Sequence, residues 1–427
     1  MPEPLPAPLA PAPSRGETVP MAASAKLASE VVGRALSFLV VYVAQRRLGP
    51  VGFGHVAYAQ AAGQILGQVT DLGLQLTTTR ALVLDAKRVA PIVGAALRVR
   101  LTFIAPAVLL LALLAWGRPL EVRWAVLAVS VSVVLQGLVE FIGYCLRGQF
   151  RVADDALLLF GMRVLTSALG IVAVEAGLGV VGLGFAWLAS AVAAAAAGWW
   201  WQRRLIGRHR APPWSASWQL LRAAIPLGAA ILFSIAYVRT PAVLLDRVAG
   251  PAAVGYFATA QKLTEPLGLI PSAVLAAVFP TLVGRLRSRD PRARSLLFSA
   301  MSSLMAVAVG LAAAGSLGGG WLLRLLYGQQ YAEAGPAFAL LSVALVPMFA
   351  NHVLTHALIA LEHEHWLLGI NVMVFVVNLG LCGLWLGRSG PAGAAAAILC
   401  SEGVLLASVS VAVAMAWKRH HARSDSP

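Results

Sequence analysis

Apolar stretches of eighteen residues or more recur from one end of the chain to the other, and they leave few folds open. Each is long enough to cross about 30 Å of hydrocarbon. In lipid every backbone N–H and C=O must be satisfied within the protein, which restricts the chain to helices or a closed barrel. The stretches are continuous rather than alternating, and rich in Leu, Ala, Val and Gly, so helices are expected. Composition agrees: only 12% of residues are charged, against about 25% in globular chains. Twelve spans are read, at roughly 24–45, 55–79, 92–116, 123–146, 156–176, 181–202, 218–245, 253–282, 295–317, 335–361, 365–387 and 392–417. Pro266 and Pro271 predict a kink in the eighth.

One phrase occurs twice. Gly49-Pro50-Val51-Gly52-Phe53-Gly54 through Ala59-Gln60 and Gly250-Pro251-Ala252-Ala253-Val254-Gly255 through Ala260-Gln261 both read G-P-x-x-x-G-x-x-x-x-A-Q, without gaps, each between two long apolar segments. An arginine stands three residues before each Gly-Pro, Arg46 and Arg247. A second echo pairs Gly179-Val180-Val181-Gly182 with Gly390-Pro391-Ala392-Gly393. A duplicated half is the reading, with a first lobe at 23–203 and a second at 218–417, joined by the polar linker 204–217. Residues 1–22 are Pro/Ala-rich, lack the hydrophobic core of a signal peptide, and read as an extended tail, with Met1 and Met21 both available as starts. Residues 418–427 form a basic tail. Gly177 to Gly182 also fits G-x-G-x-x-G, but no strand precedes it, and a tight turn accounts for it better.

The net charge of +15 resides mostly in short loops. Counted by alternate sides, twenty-one Lys and Arg, Arg100 among them, lie on the side of the termini and seven on the other. Both termini are therefore expected in the cytoplasm, and six spans per lobe make the repeat parallel. Cys145, Cys382 and Cys400 are far apart in apolar segments and read as small hydrophobes.

Polar residues inside the spans fall in rows. Gln60, Gln64, Gln68, Asp71 and Gln75 are spaced by four, four, three and four, which places them on one helical face. Such a face is costly against lipid and is expected to meet protein or water. Lys26, Glu30, Arg34 and Ser37 share a face of the first span, where Glu30 and Arg34 either pair or line a cavity. Gln261, Lys262 and Glu265 lie just before Pro266; the repeat matches Gln261 to Gln60 and Glu265 to Gln64. Lys262 and Glu265 either form a structural pair or serve function. Ser132, Gln136, Glu140 and Tyr144 make another row, and Arg163 of the next span is a partner for Glu140. Arg239 reads as snorkelling or contacting ligand. Asn351, His352, Thr355 and His356 form a polar patch; its two histidines, one turn apart, either relay protons or bind a metal, for which no third ligand is evident, or are packed and hydrogen-bonded, which is the preferred reading. No nucleophile–base set, P-loop or paired-carboxylate site is present, and an enzyme is not expected.

Ala44-Gln45-Arg46-Arg47-Leu48-Gly49-Pro50-Val51-Gly52-Phe53-Gly54 resembles the "A-R-x-L-G-P-x-x-F-G" turn of polysaccharide and O-antigen flippases, and Asp71-Leu72-Gly73-Leu74 resembles their "D-L-G-L". Gln261-Lys262-Leu263-Thr264-Glu265-Pro266-Leu267-Gly268 is similar to an eighth-helix phrase of lipid II flippases, although two further helices frequent in those proteins are missing. The resemblance, to the multidrug/oligosaccharidyl-lipid/polysaccharide exporter superfamily, implies an all-α fold of about twelve membrane helices in two V-shaped six-helix lobes. It implies a bacterial inner-membrane flippase of undecaprenyl-diphosphate glycans, alternating access through a central cationic cavity. Arg34, Lys262 and Arg163 would hold the diphosphate. Gln60, Gln64, Gln68 and Gln261 would meet sugar hydroxyls. Asp71, Glu140 and Glu265 are candidates for proton or sodium coupling; no cofactor or metal is expected, and partners are the lipid-linked glycan, membrane lipids, and a glycan polymerase or glycosyltransferases rather than nucleic acid. The rival readings are a cation-coupled multidrug antiporter, which predicts an acidic, aromatic cavity, and a membrane scaffold for envelope assembly, whose deep charges should tolerate alanine.

Overall fold

The computed structural model describes residues 19–85, 88–206, 212–288, 290 and 292–422. Most of the expected N-terminal tail, the centre of the linker, the end of the basic tail and the side chain of Lys26 lie outside the described residues. Nearly everything described is helical: α1 (Val19–Asp71), α2 (Leu74–Leu84), α3 (Val89–Ala115), α4 (Leu120–Gly148), α5 (Val152–Glu175), α6 (Gly179–Ile206), α7 (Trp214–Thr264), α8 (Leu269–Arg287), α9 (Arg292–Tyr327), α10 (Gly335–Ala360) and α11 (Trp366–Ala422). Single 3₁₀ turns, Glu265–Gly268 around Pro266 and Gln329–Ala334, precede α8 and α10. Among the described residues, eight helices are long and apolar enough to cross a membrane.

Three of the helices are interrupted, each at a Gly-Pro pair. Gly49 (φ 65, ψ −178) breaks α1, Gly250 (φ 81, ψ 176) breaks α7, and Gly390 (φ 50, ψ −125) breaks α11. Side-chain-bearing residues are strained at these angles, whereas glycine is not. The following proline has a backbone preset for a first helical turn and needs no N–H there. The repeated phrase is thus a device that ends one helix and starts the next.

The expected second span does not run unbroken to 79. Its helix stops at Asp71, where Leu72 (φ 42) and Gly73 (φ 83) are both left-handed. The Asp71 carboxylate accepts a hydrogen bond from the Gly73 N–H at 3.2 Å, offering the backbone an alternative to the helix.

The two copies of the phrase pack on each other. A Cβ on Gly54 would overlap the Pro251 carbonyl, and one on Gly255 would overlap that of Pro50. Since Gly54 matches Gly255 and Pro50 matches Pro251, the contact is reciprocal. Phe53, Val56 and Tyr58 join Val254, Phe257 and Leu245 in one buried core drawn from both halves. Gln45 donates to the Thr259 hydroxyl at 3.0 Å, and the Tyr331 hydroxyl donates to the Gln45 carbonyl at 3.0 Å. Near the far end of α1, Gly228 of α7 abuts the Leu72 backbone so closely that no Cβ would fit.

Candidate transport cavity

Between these two contacts lies a cavity of about 730 Å³. The first half lines it with Gln64, Gln68 and Asp71 of α1, Gln75 of α2, Arg100 of α3, and Gln136 and Glu140 of α4; the second half contributes Ser234, Val238 and Arg239 of α7 and His352 of α10. Four amides from three helices thus face one space. The break at Leu72–Gly73 moves Gln75 onto another helix but leaves it on the same wall.

The lining is charge-balanced rather than cationic, with Asp71 and Glu140 against Arg100 and Arg239. Arg100 pairs with Asp71 at 2.6 Å, wholly buried, and its guanidinium lies 5.0 Å from the Phe141 ring centre. Its Nε and Nη2 have no hydrogen-bond partner among the described residues. Arg100 is thus a membrane-interior charge and not one of the loop charges with which the sequence groups it. α3 starts at Val89, so Arg100 lies about three turns inside the helix. Pro91, a first-turn proline, was the available sign of that earlier start.

Arg239 pairs with Glu265 and donates to the Gln261 side-chain oxygen Oε1 at 3.3 Å, and Lys262 is 3.4 Å from Glu265. Gln261, Lys262 and Glu265 are therefore together and reach the cavity wall through Arg239. Gln60 is half-buried and outside the lining; its buried Oε1 has no partner among the described residues. Arg34 is exposed on α1, away from the lining. Arg163 lies against Gly33 and 3.5 Å from the Glu30 carbonyl, with Arg34, Glu30 and Glu140 within electrostatic range. A direct Glu140–Arg163 ion pair is not formed: Glu140 faces the cavity and Arg163 faces α1.

A second cavity, about 360 Å³, adjoins the first through Ser234, Val238 and His352. Glu402 of α11 lines it, 3% exposed. Glu402 accepts the Tyr237 hydroxyl at 2.7 Å and the Asn351 amide at 2.8 Å. Asn351 Oδ1 is buried with no hydrogen-bond partner among the described residues, and Thr355, His356 and Asn371 complete the polar wall. Sequence reading found the Asn351–His356 patch but passed over Glu402, although an acid in the middle of an apolar segment is itself a signal.

Beside the Gly-Pro crossing, Arg118 from the α3–α4 turn pairs with Asp246 of α7 at 2.5 Å and lies 4.0 Å from the Tyr58 ring centre and 3.4 Å from His55 Nδ1.

The fold matches solved membrane transporters. A lipid II flippase, MurJ, in an inward closed conformation superposes with a TM-score of 0.68 at 12% identity, over 91% of this chain and 87% of that one. An inward-facing multidrug resistance MATE family transporter of the MOP superfamily gives 0.64 at 16% identity, over 97% of each chain. A MOP superfamily transporter from Pyrococcus furiosus, described as having a binding pocket of reversed polarity, gives 0.56 at 14%, over 95% of each. None of the curated proteins matches the chain. The model of one family, described as "Polysaccharide biosynthesis protein", matches residues 23–284, more than half of the length. The chain therefore belongs to the polysaccharide biosynthesis protein family.

Proposed function

We propose that this protein is a flippase that moves an undecaprenyl-diphosphate-linked glycan across the bacterial inner membrane by alternating access. Splitting α1, α7 and α11 at their Gly breaks, and taking α2 with the second part of α1 and α8 with the second part of α7 as single broken crossings, gives six crossings up to residue 206 and six from 214, which favours two six-helix lobes with both termini on one side, the cytoplasmic one by the Lys and Arg excess. The observation that carries the reading is the cavity lined from both halves by four glutamines and two arginines. Glycan hydroxyls and a diphosphate cannot cross hydrocarbon unaided. Amides give hydroxyls both donors and acceptors, and guanidinium pairs with phosphate in a planar, two-pronged geometry. Because each arginine is already held by a carboxylate, the diphosphate would enter by exchanging partners with Asp71 or Glu265. Arg34 and Arg163 would then act at the approach, outside the lining, and Lys262 beside Arg239.

Coupling to a proton or sodium ion would run through carboxylates. Among the described residues, Asp71 and Glu265 have arginine partners, Glu140 faces the cavity, and Glu402 is buried with no Lys or Arg in ion-pair range. Glu402 and Glu140 are thus the carboxylates with room for a cation.

The test is glycan export in cells whose own flippase is deleted. Gln64→Leu/Gln68→Leu and Arg239→Gln should each abolish surface glycan while leaving the protein in the membrane, as read by a fluorescent fusion. Full export by both sinks the proposal. The acids in the lining favour a second reading, antiport of small cations. It predicts ethidium efflux lost in Glu140→Gln, with glycan export untouched.

A further inference from the structure

Some arginines of this chain hold carboxylates, and others lie over aromatic rings without one. Arg100, Arg118, Arg147 and Arg239 each hold a carboxylate. Arg98, Arg203, Arg204 and Arg222 have none within ion-pair distance among the described residues. These four lie over tryptophan rings instead, as Arg123 and Arg419 do elsewhere, and are gathered at the end of the bundle where α6 finishes and α7 begins. Arg203 is 4.7 Å from the Trp199 ring centre and Arg204 4.4 Å from that of Trp200. On α7, Trp214, Trp218 and Arg222 are spaced by four, so they line one face over the first turns. Arg222 lies 5.3 Å from the Trp218 ring, and Arg98 reaches across from α3 to 5.2 Å from the Trp214 ring. Trp214 and Trp218 are 59% and 51% exposed, and neither borders the central cavity.

Indole rings rest at the level of the lipid head groups. A guanidinium held flat over such a ring keeps its N–H edge outward, and the stack does not consume its donors. Two such guanidinia, one from each half of the chain, flank the Trp214–Trp218 face. An anion is the missing complement, and at this depth the abundant anion is the phosphate of an acidic phospholipid. We propose that the Arg98–Trp214–Trp218–Arg222 face is a binding site for an anionic phospholipid, whose head group bridges α3 and α7 with its acyl chains along the exposed apolar side of α7. Ile225, one turn beyond Arg222 and 39% exposed, continues that side. The site is independent of the transported substrate.

The test uses the full chain purified in detergent, given phosphatidylglycerol or phosphatidylcholine, with bound lipid counted by native mass spectrometry. The unmodified chain should retain phosphatidylglycerol over phosphatidylcholine. Arg98→Gln/Arg222→Gln should lower that preference roughly thirtyfold, the factor two surface arginines supply. Equal retention of the two lipids by the unmodified chain, or an unchanged preference in the double variant, overturns the proposal. If the double variant does not fold, the second measurement is indole quenching by brominated lipids in vesicles. Brominated phosphatidylglycerol should quench the unmodified chain more than brominated phosphatidylcholine, and the excess should vanish in Trp214→Phe/Trp218→Phe. No excess, or an excess that survives, also refutes it.

Discussion

At the scale of single residues, the buried charges separate structural from functional roles. Asp71 and Arg100 form a pair with almost no exposure. Removing one member strands the other in a low-dielectric interior, at a cost of about 3–5 kcal/mol, whereas replacing both with apolar groups of similar volume is often neutral. Arg100→Met alone should therefore lower the thermal stability of the purified protein, and Arg100→Met/Asp71→Leu should restore it. Export separates the roles: if Arg100 holds substrate, the double variant stays folded and inactive, and a double variant that exports normally would reduce the pair to scaffolding. Glu402 allows a different experiment. Glutamine preserves its shape and can still bond Tyr237 and Asn351, yet takes up no proton and, lacking charge, holds a cation far more weakly. Glu402→Gln is expected to leave a residual export that no longer responds to external pH or sodium. A response identical to that of the unmodified chain would remove Glu402 from the coupling.

At the scale of elements, the Gly-Pro breaks and the glycine contacts make the sharpest demands. A methyl group on Gly54 or Gly255 must displace backbone carbonyl, not a flexible side chain. Overpacking of this kind costs about 1–3 kcal/mol. Gly54→Ala and Gly255→Ala should thus destabilise the protein by similar amounts, while Gly310→Ala and Gly380→Ala, whose added Cβ meets nothing within 4 Å, should be neutral by thermal denaturation. Unequal effects at Gly54 and Gly255 would refute the reciprocal crossing. Both glycines were visible beforehand as repeated letters, but not their mutual contact, because a repeat states equivalence without stating proximity. The cavity was legible to a similar degree. The Gln64–Gln68–Asp71 row followed from helical spacing alone. Arg100 did not: the span expected at 92–116 already contains it, but the count groups it with the loop charges near Arg98 and does not read it as a buried cation in need of an acid. Arg34 failed in the opposite sense: its depth along the helix was readable, but which way that helix turns its face depends on packing against α5.

For the whole molecule, the two halves touch at both ends of the cavity, so moving substrate through requires at least one contact to open. The end built from the Gly-Pro crossing carries an additional ion pair. Arg118 and Asp246 come from different halves, their side chains are 14% and 9% exposed, and the guanidinium is backed by the Tyr58 ring. The opposite end, at Leu72–Gly73 and Gly228, is held by close backbone contact and apolar packing, with no ion pair between the halves among the described residues. Asp246→Asn leaves Arg118 buried with no anion, which is strongly unfavourable in the closed state and relieved when that end opens to water. The variant should therefore take up deuterium faster at 50–60 and 250–260, with 71–75 and 224–228 unchanged or slower as the opposite end closes more of the time. Arg118→Met/Asp246→Leu should return the exchange toward that of the unmodified chain, since no charge is then stranded. Uptake in Asp246→Asn that rises equally at both ends would mean general loosening rather than release of a latch, and uptake unchanged at 50–60 would show that the crossing alone holds that end shut.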